Sequence, residues 1–452
     1  MTACSSVADD RLAVLKYGRE SVKIDLSSAA SVSWLYGSEM PRIENLSGAF
    51  RRAVEEDVVG KALKARLSAK DSITIIISDI TRFWMRQDLI CELLVRYLRD
   101  VCGIAYEQMV VLVALGTHRP MTETELEKIS SDYVYRHVAV VNHNCDAADL
   151  VYVGTTRYDN RIEVNPLAVG RKVITISGTV HHLMAGYGGG RKSILPGISS
   201  RETIRRNHLM ALDSDIPQSS ARIGSGKLTQ NPIHEDMDEA ARLVAPVFGI
   251  NIVVNTDGVH SGLFCGDFEA AWRKSCAFCQ RYYGREINGL ADVVIASCGG
   301  YPKDMNLYQG VKSLLNAVNA LEPGGTFVFL CECPEGGGAP DFFDWTKPLS
   351  QGRLDPALRE DFTIAGYIFY ASCEAIAKAG RFLMLSKIDP AVVKDMRIES
   401  FQDIDTLMAQ LDLRGKHVAV IPYGGYVLPQ SEAVYGRLSG EFAPQMASKY
   451  TC

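Results

Sequence analysis

The chain has 452 residues, which at roughly 100–200 residues per domain predicts two or three domains. With 47% hydrophobic and 22% charged residues, it has the composition of a folded globular protein and not of a disordered one. Its net charge is only −5, and no stretch approaches the roughly 18–20 apolar residues that span a bilayer, so we expect no nucleic-acid partner and no membrane partner.

The N-terminus and the cysteines indicate a cytoplasmic protein. Residues Met1–Arg11 are polar and carry Asp9 and Asp10, a pattern unlike that of a signal peptide. Twelve cysteines in a chain of this length are too sparse for a disulfide scaffold. We therefore expect reduced thiols.

The first part of the chain predicts a hairpin and then a parallel sheet. Apolar residues alternate on both sides of the polar turn Gly18–Glu20, as in two antiparallel strands. The β-branched run Ile73–Ile77, helix Gln87–Val101 and strand Met109–Leu115 make a βαβ unit. Other predicted elements are a helix near Asn45–Leu67 and strands at Val138–Val141, Leu150–Val153 and Val173–Ile176.

A second run of alternating strands and helices begins near residue 291. Its predicted strands are Asp292–Ala296, Thr326–Cys331, Phe382–Leu385 and His417–Ile421, and its predicted helices are Met305–Leu321, Gly366–Ala379 and Gln402–Leu411. The fold class is therefore α/β, with two α/β domains and mainly parallel sheets. We expect one domain of residues 1–285 plus 425–452 and a second of residues 286–424.

Polar, reactive side chains follow two of the predicted strands. Asp79 and Arg82 come directly after Ile73–Ile77, and His118 comes shortly after Met109–Leu115. Ligands of open α/β sheets bind beyond the carboxyl ends of the strands, so adjacent parallel strands would bring these side chains to one edge. The alternative is that Asp79 and its neighbour Thr81 only cap the next helix.

The densest polar segment is Thr179–Ser193. Its notable members are His181, His182, Gly188, Gly189, Gly190, Arg191 and Lys192. Clustered glycines let the backbone approach a ligand and turn its N–H groups toward an anion. The spacing is neither that of a P-loop nor that of a dinucleotide fingerprint. A phosphate-binding loop beside a nucleophilic or covalently modified lysine fits better, and the alternative is a flexible loop with solvated Arg and Lys.

His208 is the candidate metal ligand. It lies on a predicted helix that starts with the capping pattern of Ser199 and Glu202, on the same apolar face as Ile204. An inward histidine is commonly a core residue, but this one follows the glycine loop, which suggests a metal role. A single histidine is too few for a stable metal site unless a cofactor supplies the other ligands.

Two further groups of residues have side chains of the kind found in binding or metal sites. Tyr308 and Lys312 are i, i+4 neighbours on a predicted helix and, with Gln309, could hold a carboxylate; a solvated helix face is the alternative. Cys276 and Cys279 form a lone C-x-x-C inside a predicted helix and are expected to belong to the core.

Together, these motifs resemble those of the nickel-dependent lactate racemase family. The shared segments follow the same order over most of the chain: Asp79-Ile-Thr-Arg82, Gly116-Thr-His118-Arg, His181-His182, Ala185-Gly-Tyr-Gly-Gly-Gly-Arg-Lys192, His208 and Tyr308-Gln309-Gly-Val-Lys312. The spacing of His182, Lys192 and His208 is the most specific part. Members of that family use a nickel-pincer nucleotide, pyridinium-3,5-bisthiocarboxylic acid mononucleotide, whose sulfur-containing arms grip nickel.

The resemblance implies a cofactor site in the first domain. Lys192 would anchor the nucleotide covalently, and His208 would be the protein ligand to nickel. The remaining cofactor-binding residues would be Gly188, Gly189, Gly190 and Arg191.

The resemblance also implies the catalytic and substrate-binding residues. His118 and His182 would be the acid/base pair, and Asp79 would orient Arg82 or a histidine. Arg82 would hold the substrate together with residues of the second domain, in an active-site cleft between the domains. Those residues would be Tyr308, Gln309 and Lys312.

The implied reaction inverts C2 of a 2-hydroxy acid, so the chain would be a racemase or epimerase. Hydride would pass to and from the cofactor while the histidines move the hydroxyl proton. The implied partners are the small 2-hydroxy acid and the enzymes that synthesise the cofactor. Because Phe83 follows Arg82 where lactate-specific members commonly have Pro, with Trp84 next, we expect an acid other than lactate, whose distal polar group Arg191 could reach.

Two alternatives remain at this point. A nicotinamide-dependent 2-hydroxy-acid dehydrogenase agrees with the α/β pattern but lacks the dinucleotide fingerprint. A non-catalytic protein that carries the cofactor would share the binding motifs without turnover.

Overall fold

The computed structural model describes residues 11–446. The predictions about the N-terminus before Arg11 and about the last six residues of the tail lie outside this range. Within it, no helix combines the length and the apolar character that crossing a membrane requires.

Strands and helices alternate along most of the described chain. The strands are β1 Leu12–Tyr17, β2 Glu20–Asp25, β3 Ser31–Trp34, β4 Ile73–Ser78, β5 Met109–Ala114, β6 Ala139–Asn142, β7 Val151–Thr155, β8 Arg161–Val164, β9 Lys172–Gly178, β10 His181–His182, β11 Gly186–Tyr187, β12 Phe248–Val254, β13 His260–Gly266, β14 Gly284–Ile287, β15 Ala291–Ser297, β16 Leu321–Leu330, β17 Arg381–Leu385, β18 Glu399–Phe401, β19 His417–Ile421 and β20 Leu428–Ser431. The α-helices are α1 Leu46–Glu55, α2 Gln87–Asp100, α3 Glu123–Ser130, α4 Asp132–His137, α5 Arg201–Leu209, α6 Pro232–Val244, α7 Phe268–Tyr283, α8 Leu307–Ala317, α9 Thr346–Ser350, α10 Leu354–Glu360, α11 Ile364–Ala377, α12 Pro390–Val393, α13 Ile404–Met408, α14 Glu432–Glu441 and α15 Ala443–Met446.

The described residues divide into two compact units. The larger unit comprises residues 39–211, 221–282 and 438–446, and the smaller unit comprises 11–38, 212–220 and 283–437. Each has its own sheet and core, in agreement with the predicted α/β class.

The larger unit contains a six-stranded sheet in the order β13-β12-β9-β4-β5-β6. All of its pairs are parallel except β12 with β13. The predicted strand Ile73–Ile77 is fully buried because helices cover the sheet, and its isoleucines pack in the unit's core. The carboxyl ends of β9, β4 and β5 are neighbours, which brings the segments after them to one edge.

The smaller unit contains a six-stranded, entirely parallel sheet in the order β18-β17-β16-β15-β19-β3. Its core includes Leu15 and Ile24 from the β1–β2 hairpin, which has the predicted turn. Helix α8 crosses near the carboxyl end of β15 and carries the predicted carboxylate-binding residues.

The predicted domain boundaries differ from this division. Residues 11–38 belong to the smaller unit because β3 is an edge strand beside β19. Residues 425–437 also belong there because β20 pairs with β14. The segment 212–220 joins the same unit, where the Ser219 hydroxyl donates to Glu374 at 2.5 Å.

The predicted helix Asn45–Leu67 is also too long. Helix α1 ends at Glu55, and the chain then extends so that the Val59 N–H donates to the Cys265 carbonyl at 2.8 Å. The next residue, Gly60, has φ +82, which a helix cannot contain. Pairing with β13 therefore overrides the local helical pattern.

Candidate active site

Asp79 and His118 meet at the carboxyl edge of the larger unit's sheet. β4 and β5 pair in parallel up to Ser78 opposite Ala114, so the segments that follow start side by side. His118 Nδ1 contacts Asp79 Oδ2. Asp79 Oδ1 accepts hydrogen bonds from the N–H and the hydroxyl of Thr81, at 2.9 and 2.5 Å. Asp79 thus caps the next turn and holds a histidine, so both sequence interpretations of it apply.

The charge state of Asp79 fixes the tautomer of His118. Burial would raise the pKa of Asp79, but the hydrogen bond and charge of His118 and the charge of Arg82 lower it to about 2. The ionised carboxylate accepts the Nδ1–H of His118. Neutral His118 therefore carries no proton on Nε2, which is the form in which an imidazole acts as a base.

Arg82 lies on the same turn as Asp79. Its guanidinium donates to the Thr81 hydroxyl at 3.1 Å, and its charge lowers the pKa of both Asp79 and Lys192. The side chain is half-buried. A cation in this position can bind and stabilise an oxygen anion.

His182 has the opposite tautomer. Its Nδ1 accepts the backbone N–H groups of Met184 and Ala185, each at 3.2 Å, so it carries no proton. The proton of neutral His182 is therefore on Nε2, which lies 3.2 Å from Nζ of Lys192. It follows that the Lys192 amine accepts this hydrogen bond.

The surroundings of Lys192 agree with a neutral amine. Burial and the charges of Arg82 and Arg191 lower the pKa of Lys192 to about 7. An uncharged lysine is the nucleophilic form. The lysine singled out in the sequence is therefore uncharged to a much larger extent at neutral pH than an exposed lysine.

Backbone conformation and internal packing explain two of the three glycines in the loop before Lys192, namely Gly189 and Gly190. Gly189 and Gly190 have φ +73 and +53. A β-carbon at Gly189 would lie 3.0 Å from the Gly178 carbonyl oxygen, and one at Gly190 would collide with Trp272. The Gly188 and Gly190 N–H groups donate to the Val180 carbonyl and the Ser177 hydroxyl, each at 2.8 Å. These two N–H groups are therefore engaged within the protein and do not point to an anion.

Arg191 does not have the predicted access to a substrate. Its side chain is only 1% exposed, and its guanidinium lies 3.8 Å from the centre of the Trp272 ring. It donates to the carbonyls of Ala185 and Tyr187, at 2.6 and 3.4 Å. The guanidinium stacks on the aromatic face of Trp272 and holds the loop through hydrogen bonds to the two carbonyls. The expectation that Arg191 reaches a distal polar group of the substrate is therefore wrong.

His208 lies inward on α5, as its position in the sequence predicts. It is 3% exposed, and its Nδ1–H donates to the Ile204 carbonyl at 3.0 Å. Burial and the charge of Lys192 lower its pKa to about 3. The imidazole is therefore neutral with a lone pair on Nε2, the form that binds metals. Across residues 11–446, no group of three or more His, Cys, Asp and Glu side chains is arranged to hold a metal ion.

A buried carboxylate that the sequence analysis missed supports this helix. Asp236 on α6 is 0% exposed and accepts hydrogen bonds from Thr156, Asn160 and Asn207, the last at 2.8 Å. Asn207 directly precedes His208. The signal was present, since Asp236 shares the apolar face of α6 with residues spaced three and four apart.

Tyr308, Gln309 and Lys312 lie on α8 of the smaller unit. The Asn306 side chain caps this helix at the Gln309 N–H, 3.0 Å away. Lys312 Nζ donates to Gln309 Oε1 at 2.6 Å, and all three side chains are partly buried. They form a local polar group within the smaller unit. Cys276 and Cys279 are fully buried in α7, in agreement with a core role.

Comparisons with known proteins match both parts of the chain. Residues 17–220 match the lactate racemase N-terminal domain, and residues 288–428 match the lactate racemase C-terminal domain. A lactate racemase of Thermoanaerobacterium thermosaccharolyticum is 34% identical over 300 residues, which cover 66% of this chain and 68% of that protein. A lactate racemase of Lactiplantibacillus plantarum is 31% identical over 390 residues, which cover 82% of this chain and 88% of that protein.

Solved structures show the same architecture. The lactate racemase apoprotein of Thermoanaerobacterium thermosaccharolyticum superposes with a TM-score of 0.81 at 28% identity, covering 93% of this chain and all of that one. A Thermotoga maritima protein superposes with a TM-score of 0.64 at 18% identity, covering 88% of this chain and all of that one. The second match shows a shared fold alone.

Proposed function

The chain belongs to the lactate racemase family, and from that premise we propose that it inverts C2 of a 2-hydroxy acid with a nickel-pincer nucleotide as cofactor. It is accordingly an isomerase. One observation carries the proposal: the Asp79 carboxylate accepts from Nδ1 of His118, which leaves Nε2 of that ring as a base, and the second histidine, His182, lies beside Lys192. A base and an acid are what the hydroxyl proton requires when a 2-hydroxy acid is inverted through its 2-keto form.

The donor groups of the larger unit fit the cofactor. The neutral amine of Lys192 suits an acyl-type bond to the nucleotide, and Nε2 of His208 suits nickel. When bound, the nucleotide would supply a hydride acceptor and donor, so that the weakly acidic C2–H need not be removed as a proton. Gly188, Gly189 and Gly190 would serve by shaping the loop that ends at Lys192.

The two histidines would move the hydroxyl proton. In one direction, His118 Nε2 takes the proton from the substrate hydroxyl, and the Asp79 carboxylate stabilises the imidazolium that results. His182 would give a proton to the oxygen of the 2-keto acid from its imidazolium form, because loss of the single proton of the neutral ring would leave an imidazolate. In the other direction the roles exchange, so each direction uses both residues.

Attachment of the cofactor would also free His182. In the structure, the His182 Nε2–H donates to the Lys192 amine. An acylated nitrogen has lost the lone pair that accepts this bond. His182 would therefore become available to substrate only after Lys192 is modified.

Arg82 would stabilise charge on the substrate oxygen, and the polar group of α8 would bind the carboxylate. The Lys312–Gln309 bond holds both side chains in place before substrate arrives. A charge-assisted hydrogen bond from Lys312 is worth on the order of 1.5–3 kcal/mol for every 2-hydroxy acid.

The substrate side chain would face Trp84. Phe83 and Trp84 are both partly buried against the core of the larger unit, and Lys128 Nζ lies 4.9 Å from the centre of the Phe83 ring. The Trp84 ring borders the end of β9, where a β-carbon at Gly178 would lie 3.3 Å from it. We keep the proposal that the acid is not lactate and has a longer or more polar side chain.

The proposal includes a cytoplasmic location and cofactor-synthesis enzymes as partners. The ten cysteines in residues 11–446 are free thiols, which supports a reducing compartment. Activity should therefore be tested with protein produced in cells that synthesise the nucleotide.

The test is the composition and activity of protein from such cells. We expect about one nickel per chain, a nucleotide-sized mass increase and loss of optical purity of a 2-hydroxy acid. Lys192→Ala should lose the mass increase, and His208→Ala should keep it but lose nickel. Reversible NADH oxidation without nickel would support a dehydrogenase instead. A loaded protein with no turnover on any 2-hydroxy acid would support a cofactor carrier.

A further inference from the structure

Three cysteines that have no role in the proposed function contact one another in the smaller unit. Cys298 follows β15, Cys331 follows β16, and Cys333 lies two residues further. All three are buried, and Sγ of Cys331 is 3.2 Å from Sγ of Cys333. Cys298 also bonds to Cys331 through its thiol. We refer to this group as the thiol cluster.

The backbone turns Cys333 toward Cys331. Cys333 has φ +54, a left-handed conformation that is uncommon for a residue with a side chain. Its N–H donates to the Asp304 carbonyl at 2.8 Å, which holds this turn in place. Two sulfur atoms 3.2 Å apart are nearer than nonbonded sulfur atoms usually approach, so a bond needs little movement of the chain.

The thiol cluster lies directly beneath α8. A β-carbon at Gly310 would collide with Sγ of Cys331 and would lie 3.5 Å from Sγ of Cys298. Gly310 immediately follows Tyr308 and Gln309. A larger residue at position 310 would therefore contact the sulfur atoms of Cys331 and Cys298.

The segment after Cys333 also holds the first turn of α8. The N–H groups of Leu307 and Tyr308 donate to the carbonyls of Gly336 and Gly337, at 2.9 and 3.1 Å. A change of geometry at Cys333 would be passed through this segment to the helix.

We propose that Cys331 and Cys333 are a site of reversible disulfide formation that alters the first turn of α8. With hydrogen peroxide as oxidant, the sulfur of one cysteine attacks an oxygen of the peroxide, the O–O bond breaks and a sulfenic acid forms. The sulfur of the other cysteine then attacks the sulfenyl sulfur, the S–O bond breaks and water leaves. In total, two thiols lose two electrons and two protons, and one peroxide becomes two waters.

The rate of this reaction depends on the burial of the two thiols. Burial and the thiols of Cys298 and Cys333 raise the pKa of Cys331 well above its ordinary value, so its thiol is protonated at neutral pH. Cys333 lies at the start of a loop, and we expect it to react first, with Cys331 as the resolving thiol.

Mass spectrometry tests the site without any cofactor. Trypsin leaves Cys331 and Cys333 together in the peptide 313–353, and Cys298 alone in the peptide 286–303. After peroxide treatment and alkylation, we expect the first peptide to lose the mass of two hydrogens and to regain it with a reductant. Cys331→Ser and Cys333→Ser should abolish this change, whereas Cys298→Ser should keep it.

Two results would overturn the site. One is an unchanged peptide 313–353 under conditions that oxidise the partly exposed Cys102 and Cys373. The other is a crosslink between the two peptides as the main product, since that would assign the bond to Cys298.

Hydrogen exchange tests the effect on α8. We expect oxidised protein to exchange the Leu307 and Tyr308 amides faster than reduced protein, with no change in Cys333→Ser treated in the same way. In loaded enzyme, oxidation should raise KM for the acid about tenfold. This last expectation rests on the proposed function, whereas the mass and exchange results do not, so the two can fail separately. Unchanged exchange in protein shown to contain the disulfide would contradict the link to α8.

Discussion

Two histidines of the larger unit have opposite hydrogen bonds at Nδ1. His118 donates to the Asp79 carboxylate, whereas His182 accepts from two backbone N–H groups. In the neutral rings, the proton of His118 therefore lies on Nδ1 and the proton of His182 lies on Nε2. A substitution cannot remove the backbone N–H groups that donate to His182, but it can remove the Asp79 carboxylate that accepts from His118.

Asp79→Asn should therefore reduce kcat by about 10²–10⁴-fold. The amide can donate to Nδ1, which would move the proton of His118 to Nε2 and remove the base. Thr81→Val is the matched control, because it removes a hydroxyl bond to the same carboxylate but keeps the contact with His118. Kinetics with either enantiomer as substrate measure the effect. Activity of Asp79→Asn within a few fold of the wild type would show that the tautomer is not needed.

Lys192 should react as an amine at unusually low pH in protein without cofactor. Its folded pKa is about 7 instead of the ordinary 10.5, so the neutral fraction rises through pH 7 and is nearly complete by pH 9. An amine-selective acylating reagent, followed by peptide mass analysis over pH 5–11, should give a midpoint near pH 7 at this lysine. A midpoint near pH 10 would mean that Lys192 is charged and that the proposed hydrogen bond from His182 is absent.

At the level of elements, α5 depends on a carboxylate from its neighbour. Asp236 on α6 accepts from side chains of three other segments, including Asn207 next to His208. Asp236→Asn keeps an oxygen for the two amide donors but puts an NH2 group where the other carboxylate oxygen accepts from Thr156, and it should lower the free energy of unfolding by about 1–3 kcal/mol. It should also weaken nickel retention. Glu239→Gln on the same helix loses only a half-exposed ion pair with Arg157 and should cost less than about 1 kcal/mol. Equal effects in urea unfolding would contradict this account.

The sequence predicted secondary-structure elements correctly where the local pattern and the tertiary pairing agree. The run Ile73–Ile77 and the hairpin at Gly18–Glu20 have the expected structure, and parallel pairing of β4 with β5 explains why Asp79 meets His118. Helix α1 ends early because Val59 pairs with a distant strand, which no local pattern reveals. Arg191 looked like a ligand-binding cation because the sequence does not show that Trp272, eighty-one positions away, covers it.

At the level of the whole molecule, each of the two units is built from several separate segments of the chain. The smaller unit takes β3 from near the N-terminus and the segment 212–220 from the middle of the chain. The predicted division into 1–285 plus 425–452 and 286–424 differs from this, because strand order depends on pairing and not on position in the chain. His118 and His182 belong to the larger unit, and the residues of α8 belong to the smaller unit.

Substrate choice is also a property of the assembled protein. If Trp84 lines the substrate side chain, Trp84→Ala should change the relative kcat/KM for lactate, malate, phenyllactate and aldonic acids by tenfold or more. Phe83→Ala, beside it in sequence, should lower stability with little change in preference. Loss of optical purity of single-enantiomer acids measures the rates. A clear best rate with lactate for the wild type would contradict the proposed substrate class.

The fate of the C2 hydrogen tests the central claim most directly. A 2-hydroxy acid deuterated at C2 is incubated with cofactor-loaded enzyme in ordinary water until it is racemic, and its isotope content is read by mass spectrometry. Because His118 and His182 are proposed to move only the hydroxyl proton, the product should keep its deuterium. Replacement of that deuterium by solvent hydrogen would mean that a residue removes the C2 proton itself, and it would contradict the proposed roles of both histidines.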